Sequence, residues 1–266
     1  MKNEILSHFT TECPWRDTLY WYDTVDSTNT RAKHLAKEGA SHGTVLIAGK
    51  QTGGRGRLGR SFSSPDGMGL YLSVILRPKC TPDKLMHLTC AAAVAACKAV
   101  ETAAGIIPNI KWTNDLVCGT KKLGGILTEL SLDSKTSLVE YAIVGIGINC
   151  QQQPEDFPLE LQNMATSIRQ LTNTDFSPQK LAAHLIQSLF QMDVMLLTQK
   201  ESIMDHYRSR CMTLGQEISV VQGDHVRYAT ALSVDNDGGL TVRYADGQLQ
   251  TVCSGEVSIR GMYGYV

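Results

Sequence analysis

A chain of 266 residues that is 42% hydrophobic and 19% charged can bury a sizeable core, which excludes wholesale disorder and leaves room for one large domain or a large and a small one. A formal net charge of −1 excludes a global field that would draw the chain to nucleic acid or a membrane, so any anion recognition must be local. The eight cysteines form no C-x-x-C pair and fit no zinc site, and are expected as reduced, buried thiols of a cytoplasmic protein.

The N-terminus lacks the long apolar run of a signal peptide, and no stretch approaches eighteen apolar residues, so no bilayer span is expected. Leu19 to Val25 is aromatic and β-branched and predicts a strand, followed by Asp26, Ser27 and Thr28 as capping residues and a helix ending near Gly39. Thr44 to Ala48 predicts a second strand that runs into QTGGRGRLGR at 51–60, and Gly69 to Leu76 predicts a third leaving it. Thr81-Pro82-Asp83 reads as the opening of a long helix that runs to Gly105. Strands are expected at Asn109 to Trp112, Leu123 to Leu132 and Leu138 to Ile148, the last two joined as a hairpin. The segment from Gln151 reads as an irregular surface excursion, Ser177-Pro178 opens another helix, and ESIMDHYRSRC continues as a further one. Beyond Leu214 the short alternating strands with Gly and Asp turns predict a small β-barrel or sandwich, with a boundary near residue 212.

The loop at 51–60 holds four glycines and three arginines. Its G-x-G-x-x-G spacing does not support dinucleotide binding, because no helix starts within it and RSFSSPDGMG follows. A kinase loop and a P-loop fail for lack of their companion motifs. What remains is a strand-loop-strand unit in which glycines let the backbone approach a ligand and Arg55, Arg57 and Arg60 offer guanidinium forks to carboxylate or phosphate. A solvated basic turn is the plainer alternative, and an RNA-binding RG segment a third.

A hairpin from Trp112 to Leu123 would bring Lys111 and Lys122 together. Glycine weakens a strand, so Gly124 and Gly125 in one predicted strand, with Gly145 and Gly147 in another, suggest a slot for a slender ligand. The seven histidines are scattered, with no H-x-x-x-H and no G-x-S-x-G, which leaves a zinc or serine hydrolase unsupported.

DSTN at 26–29, Gln51 with GGRGRLGR, KWTND at 111–115, KKLGGILTE at 121–129, VGIGIN at 144–149, ATSI at 165–168 and GEVSIRG at 255–261 occur in this order. Together they resemble the bacterial biotin protein ligases over nearly the whole chain. The resemblance implies an α+β fold, a mixed sheet with helices like that of class II synthetases (1–211), followed by a small SH3-like barrel (212–266). It implies ATP-dependent activation of biotin as biotinyl-5′-AMP and transfer to a lysine of a biotin carboxyl carrier domain, with Mg²⁺ accompanying ATP. Only about 25 residues precede DSTN, so the short form without a DNA-binding domain is expected. A homodimer is left open, and no membrane partner is expected.

Carried over by motif, Ser27, Thr28, Asn29, Gln51, Arg55, Gly56, Arg57, Lys122, Gly124 and Gly125 are expected at the biotin site. Arg57, Arg60, Lys111, Asn114 and Asn149 are expected at ATP, with Lys122, Arg57 and Lys111 serving the chemistry. Two positions depart from the family: Thr113 stands where a proline is usual, and Phe62 where a tryptophan is frequent. A lipoate or octanoate ligase is the nearest rival, against which the GRGRLGR loop argues. A nucleic-acid-binding module is a rival of another class, against which the acidic balance argues.

Overall fold

The computed structural model describes residues 1–253 and the backbone of 258–261; of the GEVSIRG motif, residues 255–257 lie outside the described residues. From the N-terminus run α1 (Lys2–Ser7), β1 (Leu19–Val25), α2 (Thr28–Lys37), β2 (Thr44–Gln51), β3 (Gly69–Leu76), α3 (Leu88–Ala104), β4 (Asn109–Lys111), β5 (Asp115–Cys118), β6 (Lys121–Leu132) and β7 (Val139–Asn149). Then follow α4 (Ile168–Thr172), α5 (Pro178–Met195), α6 (Lys200–Arg210), β8 (Glu217–Gln222), β9 (His225–Val234), β10 (Leu240–Tyr244), β11 (Leu249–Val252) and β12 (Ser258–Gly261).

Seven strands form one sheet in the order β1-β2-β3-β7-β6-β5-β4, with β1 and β2 parallel and the other pairs antiparallel. Every residue of β3 is buried, because helices cover both faces of the sheet centre. On one face Ala32 and Ala36 of α2 meet Leu46, Ile75, Tyr141 and Ile143. On the other lies α3, whose alanines let it approach the sheet and α5 closely. The helix ends at Gly105, which takes the left-handed conformation (φ 69°) that glycine adopts without a Cβ penalty.

The helix expected from Thr81 is split. A three-ten turn at Pro82–Leu85, closed by Lys84 N–H on Thr81 O at 3.1 Å, precedes α3, and neither start has a side-chain cap. His87, at the break, is buried with Nε2 3.0 Å from Leu196 O. By length and composition Pro82–Ala104 would suffice to cross a membrane, contrary to the expectation; 67% of its most apolar window is buried inside the fold, which makes it a core helix. The expected Trp112-to-Leu123 hairpin is instead a three-strand meander, with β5 paired between β4 and β6.

The second sheet is wholly antiparallel, in the order β11-β10-β9-β8-β12. It docks on the KWTND segment: Met212 N–H donates to Ile110 O at 3.0 Å, Trp112 N–H to Thr213 Oγ1 at 2.9 Å, and the indole Nε1–H to Gly238 O at 2.9 Å. A single apolar cluster runs through both sheets. Trp112→Phe leaves the buried Gly238 carbonyl without its donor, and is expected to destabilise the protein by about 2 kcal/mol in chemical denaturation. Cys13, Cys80, Cys90, Cys97, Cys118, Cys150 and Cys211 are free thiols. Burial pushes the Cys97 and Cys150 thiols up to about 12, which keeps them protonated and inert.

Candidate active site

A cavity of about 510 Å³ opens where the arginine loop crosses the sheet. Gln51 N–H on Ser64 O (3.1 Å) and Phe62 N–H on Gly54 O (2.9 Å) prolong the β2–β3 pairing into the loop stem. At the tip Gly56 N–H donates to Arg60 O at 2.7 Å, and a three-ten turn at Arg57–Gly59 carries Leu58 at φ 53°. This turn sends Arg57 inward, where its Nη1–H donates to Asn114 Oδ1 at 2.9 Å. Burial pulls the Arg57 guanidinium below its usual range; Asp115 works against that shift and Arg60 adds to it.

The start of α2 forms part of the floor. Ser27, its N-cap, makes no side-chain cap bond; Gln51 caps the helix instead, its Oε1 accepting from Thr28 N–H at 2.8 Å and Thr28 Oγ1 at 3.1 Å. Gln51 Nε2 donates to Ser64 Oγ at 2.8 Å, which ties the floor to the loop stem. Ser73 Oγ, fully buried, lies 2.7 Å from both Thr28 Oγ1 and Asn29 Oδ1.

The opposite wall comes from the meander. Lys111 is buried, and Asn114 is fixed by Nδ2–H to Ile126 O at 3.0 Å, so its oxygen faces Arg57. Lys122 Nζ pairs with Asp115 Oδ1 at 2.7 Å. Its backbone is locked from both sides, N–H to Met164 O at 2.8 Å and O from Thr166 N–H at 2.9 Å.

The strand glycines serve these side chains. A Cβ at Gly145 would stand 2.0 Å from Asn29 Oδ1, one at Gly147 would stand 2.5 Å from the Phe62 ring, and one at Gly125 would stand 3.4 Å from Lys122 Nζ. Gly145 and Gly147 thus leave room for Asn29 and Phe62 to lie on the sheet, and both, with Gly125, also line the cavity, where the sequence suggested a slot for a slender ligand. Gly147→Ala should push Phe62 off the floor; the expected result is several-fold weaker binding of the cavity's ligand by calorimetry, with thermal stability little changed because the ring is only half-buried.

All but two of the residues singled out in the sequence line this cavity: Ser27, Thr28, Asn29, Gln51, Arg55, Gly56, Arg57, Arg60, Lys111, Asn114, Lys122 and Gly125 do. Gly124 does not; it faces β7, where a Cβ would meet Gly147 O at 2.5 Å. Asn149 does not either. It is buried, its Nδ2–H donates to Thr166 O at 3.0 Å, and it holds the segment that fixes Lys122. Phe62, noted in the sequence only as a departure from the family, lines the cavity, and so do Asp115, Ser61 and Met164, which were not singled out. Asp115 was legible as the acid closing KWTND; Met164 carried no signal, since only the chain path brings it to Lys122.

Five cationic side chains and one carboxylate line the cavity, so it selects anions. Among the described residues no group of three or more His, Cys, Asp or Glu could hold a metal ion. The arrangement can hold two negative groups together while cations and buried hydrogen-bond donors absorb their repulsion.

Residues 21–149 match the model of the biotin/lipoate A/B protein ligase family, and residues 213–260 that of the biotin protein ligase C-terminal domain. The chain is 34% identical over 249 residues to the bifunctional ligase/repressor BirA of Bacillus subtilis, covering 91% of this chain and 74% of that protein. It is 29% identical to the biotin–[acetyl-CoA-carboxylase] ligase of Mycobacterium tuberculosis, covering 87% of this chain and 85% of that one. The biotin protein ligase of Aquifex aeolicus, solved in complex with biotin and ATP, superposes with a TM-score of 0.77 at 31% identity, covering 91% of this chain and 98% of that one.

Proposed function

The chain belongs to the biotin protein ligases of the biotin/lipoate A/B protein ligase family, and from that membership we propose that it joins biotin to ATP as biotinyl-5′-AMP and passes the biotinyl group to a lysine of a biotin carboxyl carrier domain. It is a ligase with biotin and ATP as substrates. The observation that carries the finer reading is the Lys122–Asp115 pair facing inward-turned Arg57 in one cationic cavity.

In the first step a carboxylate oxygen of biotin attacks the α-phosphorus and pyrophosphate leaves. Two anions must approach, and the phosphorus gathers more charge as they do. Lys122, held by its backbone and by Asp115, would stand between the carboxylate and the α-phosphate. Arg57 would cover the same junction from the loop, with Asn114 fixing its direction. Lys111 and Arg60 would meet the outer phosphates. Thr28, Asn29 and Gln51, already linked through one another and Ser73 in one hydrogen-bonded floor, would receive the biotin ring together with Ser27. Asn149 would act on ATP through the 164–166 segment rather than by contact.

Among the described residues Asp115 is the one carboxylate in the lining, which fits a Mg²⁺ held chiefly by phosphate oxygens and not a resident metal cage. Bound there, Mg²⁺ would neutralise phosphate charge. In the second step the carrier lysine's amine attacks the acyl carbon of the mixed anhydride and AMP leaves. The loop, closed until then, would keep water from that labile bond. We place the functional boundary near residue 212, with the second sheet bracing KWTND through Trp112.

Mass spectrometry of a purified carrier domain incubated with the protein, ATP and biotin tests the reading. A mass increase of one biotinyl group on a single lysine is expected. Modification by lipoate in place of biotin would overturn it.

A further inference from the structure

Outside the cavity lining, one carboxylate on β6 gathers partners from both α2 and the arginine loop. Glu129 of β6 meets Lys33 Nζ of α2 at 2.5 Å and Arg55 Nη2 of the loop at 3.1 Å through Oε1. Its Oε2 accepts from Asn29 Nδ2 at 2.9 Å and from Arg55 Nη1 at 3.5 Å. Burial by itself would raise its carboxyl, but the hydrogen bonds from Lys33 and Asn29, with the charges of Lys33 and Arg55, outweigh it and hold the group below the ordinary glutamate range. Arg55 and Asn29 both line the cavity, while Glu129 does not.

We propose that Glu129 is a positioning residue: it ties the first guanidinium of the arginine loop to the cavity floor through Asn29, and so sets how long the loop stays closed. The floor end of this tether is rigid. Asn29 Nδ2–H also donates to Leu127 O at 3.2 Å, its Oδ1 is taken by Ser73 at 2.7 Å, and Gly145 gives it the space it occupies. The loop end is not: the Arg55 side chain is 44% exposed. An exposed ion pair biases an equilibrium by no more than about fivefold, enough to favour closure and too little to prevent opening. Lys33 supplies the second cation, so the carboxylate stays paired when Arg55 swings away. The tether stands on geometry alone; its effect on an adenylate rests on the function proposed above.

The test compares wild type with Glu129→Gln, whose neutral amide loses the negative charge and one of the two acceptor oxygens. In the ligand-free protein, trypsin cleavage after Arg55, Arg57 or Arg60, followed by mass spectrometry, is expected to be about fivefold faster in the variant. Raised salt should bring wild type toward the variant, since screening acts on an exposed pair. Release of preformed biotinyl adenylate should accelerate by a similar factor, with KM for biotin raised and the single-turnover rate of adenylation nearly unchanged. In an Arg55→Ala background, Glu129→Gln should add nothing to release, a result that a merely structural role would not produce. Equal loop cleavage in wild type and Glu129→Gln overturns the proposal, as does an undiminished effect in the Arg55→Ala background. Should Glu129→Gln fail to fold, Arg55→Gln breaks the same pair from the exposed side and must speed cleavage after Arg57 and Arg60. If wild type forms no adenylate the functional reading fails, while the cleavage comparison still decides the tether.

Discussion

Lys122→Ala should slow formation of biotinyl-5′-AMP by about a thousandfold in single-turnover kinetics, with the fold intact. The structure holds this ammonium firmly at the cavity wall: its backbone is bonded on both sides to the 164–166 segment, and Nζ meets Asp115 at 2.7 Å. Removing one preorganised donor from a charge-developing site costs about a hundred- to a thousandfold. Here a second effect adds to it, because Asp115 is left without this cation and faces the incoming anions as a repulsive charge. Lys122→Ala combined with Asp115→Asn should therefore recover part of the loss. The side chain lies at the cavity and is 28% exposed, so the melting temperature should move by only a few degrees. Single-turnover rates within tenfold of wild type would remove Lys122 from the role assigned to it.

Arg57→Ala is expected to increase escape of the adenylate by about a hundredfold while leaving stability within about 1 kcal/mol of wild type. The asymmetry follows from how the side chain is placed. Its guanidinium is turned inward and its pKa is lowered by burial, so holding it there costs the ligand-free protein free energy. There it donates to Asn114 Oδ1 at 2.9 Å, a neutral acceptor. A guanidinium turned into a cavity lined mostly by cations is placed to meet a negative ligand there. Leakage is read by chasing labelled adenylate, stability by denaturant unfolding. A large drop in stability with leakage unchanged would make Arg57 a structural residue.

The same contrast between loop and floor separates what was legible early from what was not. The order of strands and helices through the first domain could be read from periodicity and from Gly and Pro punctuation, because those are local properties of ten or so residues. The split at Pro82–Leu85 escaped that reading, since Thr81, Pro82 and Asp83 suit the start of a three-ten turn and of an α-helix alike. So did the meander: KWTNDLVCGTKK offers turn residues at both ends, and only pairing with β6 decides that Asp115 to Cys118 is a strand of its own.

The sequence by itself determined the residue types of the site: a glycine-arginine loop between two strands, two lysines near a third, and glycines in the strands beneath, all requiring a local anion because the chain as a whole is nearly neutral. Tertiary structure alone decided which of them meet. The Asp115 carboxylate became the partner of Lys122, Glu129 reached Arg55 and Asn29 across 74 and 100 residues of chain, Gly238 of the second sheet took the Trp112 indole, and Gly124 and Asn149 turned away from the cavity. The physical reason is range. Backbone preference and hydrophobic period act over a turn or a strand, whereas a charged pair or a buried hydrogen bond depends on a distance of a few ångströms that strand order and register set, and neither is written in the neighbouring residues.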